Sequence, residues 1–279
     1  MRVAGVNVTL SWPARSSDAP ISGVSFLLPG AMISISEYDS LRDVITAQNN
    51  LVVSTFMNVL WPLTNNHRKH AQNVKNIFDE LKSIFYNELK SVSKYSLIGH
   101  SVGGKVALLV ASIIDTERVL AVLALDPIDF NPVEFSKPKG SNLPLGDEGA
   151  DFHTMDAGNK NCKHDEEVVH VVRKKHQEKQ TITGEDESGH DRVHRNIQII
   201  LTYTDGGRGI PKAHNASAIH KFHPVTTKCY YHKNAGHMAY CDDGGGWFAD
   251  KVMPNVGTKE GNQKALATAH DLIRQMLRP

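Results

Sequence analysis

The chain has 279 residues and a formal net charge of +1 at pH 7, with 40% hydrophobic and 22% charged residues. These values are typical of a globular protein with a sizeable core, and the near-neutral charge offers no electrostatic argument for nucleic-acid binding. No apolar run approaches the ~18 residues that a membrane-spanning helix needs. Three widely spaced cysteines predict no disulfide framework and weakly favour a reducing compartment. The first residues show no visible targeting segment.

Short apolar runs alternate with amphipathic segments in the first part of the chain. Residues 3–12 and 23–28 predict strands, residues 38–49 a helix, and residues 51–57 a strand rich in β-branched side chains. Residues 70–90 place apolar side chains at helical spacing, which predicts one long amphipathic helix. Strands that alternate with helices in this way predict an α/β fold with a mostly parallel central sheet and helices on both faces.

The second half resumes this pattern after a long polar stretch. Residues 119–125, 197–203 and 228–232 predict further strands, and residues 263–277 predict a closing amphipathic helix. Between them, residues 135–195 are dominated by Lys, Glu, Asp, His, Gly and Pro. Because this composition cannot bury a core of its own, we interpret it as an excursion over the sheet within a single domain that spans the whole chain.

One motif combines a strand, a sharp turn and a helix around a serine. An apolar run leads into Gly99-His100-Ser101-Val102-Gly103, and a segment of helical character follows. This is the pattern of the nucleophile elbow, in which a strained backbone lifts the serine above the sheet. Side chains at the two glycines would collide where the strand and the helix cross. We therefore predict that Ser101 is a catalytic nucleophile.

A serine hydroxyl needs a base to take its proton and an acid to orient that base. His237 follows the last predicted strand, which is the position of the histidine in this arrangement. Two acids follow strands that end at the same edge of the sheet: Asp126 directly follows one, and Asp205 follows the next, which is the commoner position for the acid. Spacing alone does not choose between them, and Asp129 is a third candidate that is better explained as a turn residue.

Two backbone amides are needed to stabilise the oxyanion that forms during acyl transfer. The first should be that of Val102, immediately after the nucleophile. The second should come from the loop after the strand at 23–28, where small residues let the backbone approach a ligand, and we favour Ala31. A simple turn at Pro29-Gly30 is the alternative explanation of that loop.

The sequence predicts no metal site and no cofactor. Cys162, His164 and the other histidines of the polar excursion lack a clean zinc-ligand spacing. Gly244, Gly245 and Gly246 do not open an evident helix, so a phosphate-binding loop is not predicted.

Five segments, in order, resemble the chlorophyllases. Residues 26–30 resemble the apolar strand that ends in His-Gly, and residues 37–54 the helix and strand that follow it. Residues 99–105 match the plant pattern Gly-His-Ser-Arg-Gly-Gly-Lys except at one position. Residues 125–127 resemble the family's Asp-Pro segment, and residues 236–243 its Gly-His-Met segment with the following Asp-Asp.

The resemblance implies an α/β-hydrolase that cleaves the phytyl ester of chlorophyll without a cofactor. It implies that Asp126, rather than Asp205, is the triad acid, and it implies a plastid location with peripheral association to pigment-bearing membranes. Pro29 replaces the usual histidine, Val102 replaces arginine, and the polar excursion is longer than in the plant enzymes. These departures concern substrate preference more than chemistry and suit a divergent member, such as an algal one.

Two alternatives stay open. The same chemistry could serve a general carboxylesterase or lipase with another apolar ester, or the chain could be a non-catalytic relative that binds pigment or lipid. The presence of Ser101, Asp126 and His237 together argues against the second alternative.

Overall fold

The computed structural model describes residues 1–14, 20–31, 33–55, 67–115, 117–127, 170–171, 197–204, 227–244 and 257–278. Within these ranges one sheet of nine strands runs in the order β1-β2-β4-β3-β5-β6-β8-β9-β7. The strands are β1 Arg2–Val3, β2 Val6–Ser11, β3 Gly23–Leu28, β4 Asn50–Thr55, β5 Tyr95–His100, β6 Val119–Leu125, β7 His170–Val171, β8 Gln198–Thr204 and β9 Thr227–His232.

The centre of the sheet is parallel, as the sequence predicts. Strands β4, β3, β5, β6, β8 and β9 pair in parallel, whereas β1, β2 and β7 lie antiparallel to their neighbours. Strand β3 pairs with β4 on one side and β5 on the other. Because parallel strands end at the same edge, the loops after β3, β5, β6, β8 and β9 all start from one edge of the sheet, where α/β folds place their sites.

Helices cover both faces of this sheet. They are α1 Asp39–Ala47, α2 His67–Ile84, α3 Tyr86–Leu89, α4 Val102–Leu109 and α5 Lys259–Met276. Helices α2 and α4 pack on one core with Phe26 and Leu28 of β3, and α1 and α5 pack on the other with Leu27. Successive side chains of β3 thus enter opposite cores, and both faces of the strand are buried. This burial on both faces explains why the central strands are almost continuously apolar. None of the described helices is long and apolar enough to cross a membrane.

Two predicted elements are each divided in the structure. The strand predicted at 3–12 is a hairpin, because Ala4 and Gly5 adopt φ angles of 49° and 74° and turn the chain between β1 and β2. The long helix predicted at 70–90 is interrupted at Phe85, whose backbone leaves the helical region at φ −111° and ψ 47°. The Phe85 ring packs edge-on against Trp12, with ring centroids 5.1 Å apart.

Two further differences concern the second half. Helix α5 begins one turn before the predicted start, because the Thr258 hydroxyl caps it by accepting from the Gly261 N–H at 3.0 Å. The short strand β7 lies inside the predicted polar excursion and pairs with β9, although no strand was predicted there. The rest of residues 135–195 lies outside the described ranges, as do Asp129 and Asp205.

Candidate active site

Ser101 occupies a strained turn between β5 and α4. Its backbone has φ 56° and ψ −123°, which non-glycine residues rarely adopt. A Cβ at Gly99 would lie 2.3 Å from the Gly103 carbonyl oxygen, and a Cβ at Gly103 would lie 2.1 Å from the Leu28 carbonyl oxygen. The structure therefore confirms the predicted strand–turn–helix and the crossing of strand and helix as the steric reason for Gly99, whereas Gly103 is required by the end of β3.

Asp126 directly follows β6, and its carboxylate accepts hydrogen bonds from three donors. Oδ2 accepts from the Thr204 hydroxyl at 2.7 Å and from His237 Nδ1 at 2.8 Å, while Oδ1 accepts from the Thr204 N–H at 3.3 Å. Burial works to raise the pKa of Asp126, but the hydrogen bonds from His237 and Thr204 outweigh it and hold the pKa below its ordinary value. The group is therefore a carboxylate at neutral pH. It too adopts a strained backbone, with φ 42°.

His237 opens a short 3-10 turn, His237–Tyr240, just after β9. The ring lies deep in the protein, with only 2% of its side chain exposed. Because Nδ1 faces a carboxylate it must carry the proton, which leaves Nε2 of the neutral ring as an acceptor. Nε2 has no hydrogen-bond partner among the described residues, and no hydrogen bond joins it to Ser101. Such bonds are often long in free enzymes and form with the substrate.

The loop that carries His237 is fastened to helices on both sides. Towards α5, the Gly236 N–H donates to Asn262 Oδ1 at 2.8 Å, and the Thr258 N–H donates to the Asn234 carbonyl oxygen at 2.8 Å. Towards α1, Asp242 Oδ2 accepts from the Ser40 N–H at 2.8 Å. The loop thus has a fixed path past the carboxyl ends of β6 and β8.

The loop after β3 borders the nucleophile. A Cβ built on Gly30 would lie 3.3 Å from Ser101 Cβ, so this backbone passes directly beside the serine. The Gly30 N–H is already used, because it donates to the Tyr38 hydroxyl at 2.9 Å. Val102 begins α4, so its N–H has no acceptor within the helix. Val102 and Ala31 therefore stay the predicted oxyanion donors.

Three polar side chains that support the site were not singled out by the sequence analysis. Thr204 holds Asp126, and Tyr38 and His100 link the loop after β3 to the loop of His237. Only His100 carried a local signal, as the residue before the nucleophile. Among the described residues, no group of three or more His, Cys, Asp or Glu side chains could hold a metal ion.

Three buried histidines make the fold sensitive to acid. Burial lowers the pKa of His67 and His100 to about 3 and that of His232 to about 4. As pH falls from about 6.5 towards the folded-state pKa values of about 4 for His232 and about 3 for His67 and His100, the unfolded chain binds protons that the folded chain does not bind. The free energy of unfolding therefore falls as pH falls through this window. Each histidine adds about 1.4 kcal/mol per pH unit to the slope of the unfolding free energy against pH, over the range where it is protonated in the unfolded chain and neutral in the folded chain.

The measurement is urea unfolding at pH 7.5, 6.0 and 5.0, with proton uptake taken from the slope of the unfolding free energy. We expect a steep decline below pH 6.5 and a nearly flat profile above it. In His232→Gln the slope should correspond to the uptake of one proton fewer on unfolding. Equal unfolding free energies at pH 7.5 and pH 5.0 would contradict the assignment of neutral, buried imidazoles.

A mostly parallel sheet covered on both faces, with a strained serine where its central strand meets the next helix, is the architecture of the α/β-hydrolases. The family model of the thioesterase domain matches residues 26–244, and the chain belongs to that family. It is therefore a hydrolase of the esterase type. No protein of curated function matches the chain.

Solved structures agree on the fold. Est1E from Butyrivibrio proteoclasticus is 13% identical with a TM-score of 0.56, and the match covers 99% of this chain and 98% of that one. A thermophilic esterase from Thermogutta terrifontis with bound butyrate is 13% identical with a TM-score of 0.51, over 99% and 92% of the two chains. TT1662 from Thermus thermophilus is 12% identical with a TM-score of 0.51, over 100% and 97%. At these identities the likeness concerns architecture only.

Proposed function

We propose that the chain is a serine esterase that hydrolyses the phytyl ester of chlorophyll, with Ser101 as nucleophile, His237 as base and Asp126 as the orienting acid. The observation that most supports these roles is the 2.8 Å hydrogen bond between His237 Nδ1 and Asp126 Oδ2, buried beside the nucleophile elbow. The substrate is proposed from the resemblance of five sequence segments to the chlorophyllases. Membership of the thioesterase-domain family supports acyl hydrolysis in general.

In the first half of the reaction, Ser101 Oγ forms a bond to the ester carbonyl carbon as its proton passes to His237 Nε2. The Asp126 carboxylate stabilises the imidazolium without taking the proton. The oxyanion accepts hydrogen bonds from the Val102 and Ala31 amides. When the carbonyl re-forms, the bond to the phytol oxygen breaks and phytol leaves with the proton of His237.

In the second half, a water molecule attacks the acyl group on Ser101 and gives its proton to His237 Nε2. Collapse of the second tetrahedral intermediate breaks the bond to Ser101 Oγ, which recovers its proton from the imidazolium. The products are chlorophyllide and the free enzyme. These steps require neither a metal nor an organic cofactor.

A thioester is the second candidate substrate, and the family match favours it. The same residues would break a carbon–sulfur bond in the first step. A thiolate leaves more readily than an alkoxide, so protonation of the leaving group by His237 would matter less. A general carboxylesterase or lipase would use another apolar ester with the same residues.

The test is product analysis with the purified protein and its Ser101→Ala variant. Chlorophyll a, pheophytin a, a short nitrophenyl ester and an acyl thioester are incubated in parallel, and products are separated by chromatography. We expect chlorophyllide and phytol at a rate that depends on Ser101. Hydrolysis of the nitrophenyl ester or thioester without chlorophyllide would move the proposal to those substrates. Absence of any Ser101-dependent product would favour a binding protein.

The remaining part of the proposal concerns location. An enzyme with this substrate would work in the plastid and meet chlorophyll at the surface of pigment-bearing membranes. This expectation rests on the chlorophyllase resemblance alone, and fractionation of a tagged full-length protein tests it.

A further inference from the structure

Both ring nitrogens of His100, the residue before the nucleophile, are committed to hydrogen bonds. Nδ1 lies 2.8 Å from the Tyr38 hydroxyl, and Nε2 lies 2.9 Å from the main-chain carbonyl oxygen of His237. The ring is buried, with 1% of the residue exposed. It faces the ring of His237, with centroids 4.7 Å apart and planes 34° apart. His100 therefore has no nitrogen left to act as a base.

The direction of each hydrogen bond follows from the partners. A carbonyl oxygen only accepts, so Nε2 of His100 carries the proton and donates to His237. The neutral ring then accepts at Nδ1, where the Tyr38 hydroxyl donates. That hydroxyl in turn accepts from the Gly30 N–H at 2.9 Å. Burial lowers the pKa of His100 to about 3, so this neutral arrangement persists at working pH.

The chain of hydrogen bonds joins three parts of the site. One end fixes the Gly30 peptide, which passes beside Ser101 and leads into Ala31. The middle belongs to His100, covalently next to Ser101. The other end holds the backbone of His237, whose ring bonds Asp126.

We propose that Tyr38 and His100 are positioning residues that set the distance between the oxyanion loop, the nucleophile and the His237 ring. This inference rests on the proposed function of Ser101 and His237. A misplacement of about 1 Å at such a site costs on the order of 10²-fold in rate. Loss of the Tyr38 hydroxyl leaves the Gly30 N–H without its partner and leaves His100 Nδ1 with only the weak contact to Cys241 Sγ at 3.9 Å, so both loops should relax together.

The chief variant is Tyr38→Phe, which removes one buried hydroxyl. Tyr95→Phe is its matched control, because it removes a buried hydroxyl that donates to Asp115 at 3.0 Å. Tyr95 begins β5, at the end of the strand opposite Ser101. Both changes should lower the melting temperature. If Tyr38 has a positioning role, only Tyr38→Phe should also lower the rate of ester turnover per folded molecule.

The kinetic readout is ester turnover per active site, with sites counted by a fluorophosphonate that labels Ser101. We expect Tyr38→Phe to lower kcat by about 10- to 100-fold with KM nearly unchanged, and Tyr95→Phe to stay within about twofold. A value for Tyr38→Phe within about twofold of the unmodified protein would overturn the inference. Equal losses in both variants would overturn it too, because they would indicate a general effect of stability.

A second variant pair covers the case in which Tyr38→Phe does not fold. The amide of His100→Gln can still donate to the His237 carbonyl, whereas His100→Leu cannot. We expect His100→Leu to lose the most activity and His100→Gln to recover part of it. Equal activity of the two variants would overturn the role assigned to the bond from His100 to His237.

A spectroscopic readout separates this inference from the proposed function. The Nδ1 proton of His237, held by Asp126, should give a downfield proton resonance whether or not any ester is turned over. We expect it to be sharp in the unmodified protein and in Tyr95→Phe and to broaden or shift in Tyr38→Phe. An unchanged resonance in Tyr38→Phe would overturn the inference. Absence of ester turnover in the unmodified protein would instead count against the proposed function.

Discussion

Ser101→Ala should lower kcat for ester hydrolysis by about 10⁴- to 10⁶-fold, with little change in stability. In the proposed mechanism the Ser101 hydroxyl forms the acyl-enzyme bond, and alanine can occupy the same space. Its removal leaves the amides of the oxyanion site in place, so a small residual rate above the uncatalysed reaction is expected. The strained backbone at φ 56° is retained, because it is imposed by the close crossing of β5 and α4.

The measurement is kcat/KM on the best ester found by product analysis, together with mass-spectrometric detection of fluorophosphonate adducts. Ser96→Ala is the matched control, because Ser96 is a buried serine on β5, five residues before the nucleophile. It should retain normal labelling and turnover. Near-normal turnover by Ser101→Ala would remove Ser101 from the mechanism.

Much of the fold and part of the site could be predicted because their signals are local. Strands β3 and β6 match the predicted bounds of 23–28 and 119–125, since short apolar runs between turn residues leave little choice. The elbow was visible because close backbone contacts require two glycines at a fixed spacing around the serine.

The rest depended on contacts between distant parts of the chain. Tyr38 and His100 are 62 residues apart in sequence, and Asp126 and Thr204 are 78 apart, so no spacing rule could pair them. At the helix break, the Phe85 ring likewise packs on Trp12, a residue far away in the sequence. Local patterns thus predict which elements form, while tertiary packing decides which polar side chains hold the site together.

The choice between two acids is the part of the site that the sequence left open, and substitution can decide it. Asp126→Asn keeps the shape of the side chain but removes the charge that fixes the His237 tautomer. The asparagine amide would face Nδ1 as a donor or a weaker acceptor, and the imidazolium would lose its stabilising carboxylate. We expect a loss of about 10³- to 10⁴-fold in kcat.

Asp205→Asn is the matched variant, because it makes the same chemical change one residue after Thr204, which itself donates to Asp126. If Asp126 is the acid, Asp205→Asn should change kcat by less than about threefold. The measurement is kcat for both variants across pH 5–9 on one ester, with active sites counted by the Ser101 label. The reverse pattern, a large loss in Asp205→Asn with Asp126→Asn nearly normal, would transfer the role to Asp205. Comparable large losses would mean that the two carboxylates share it.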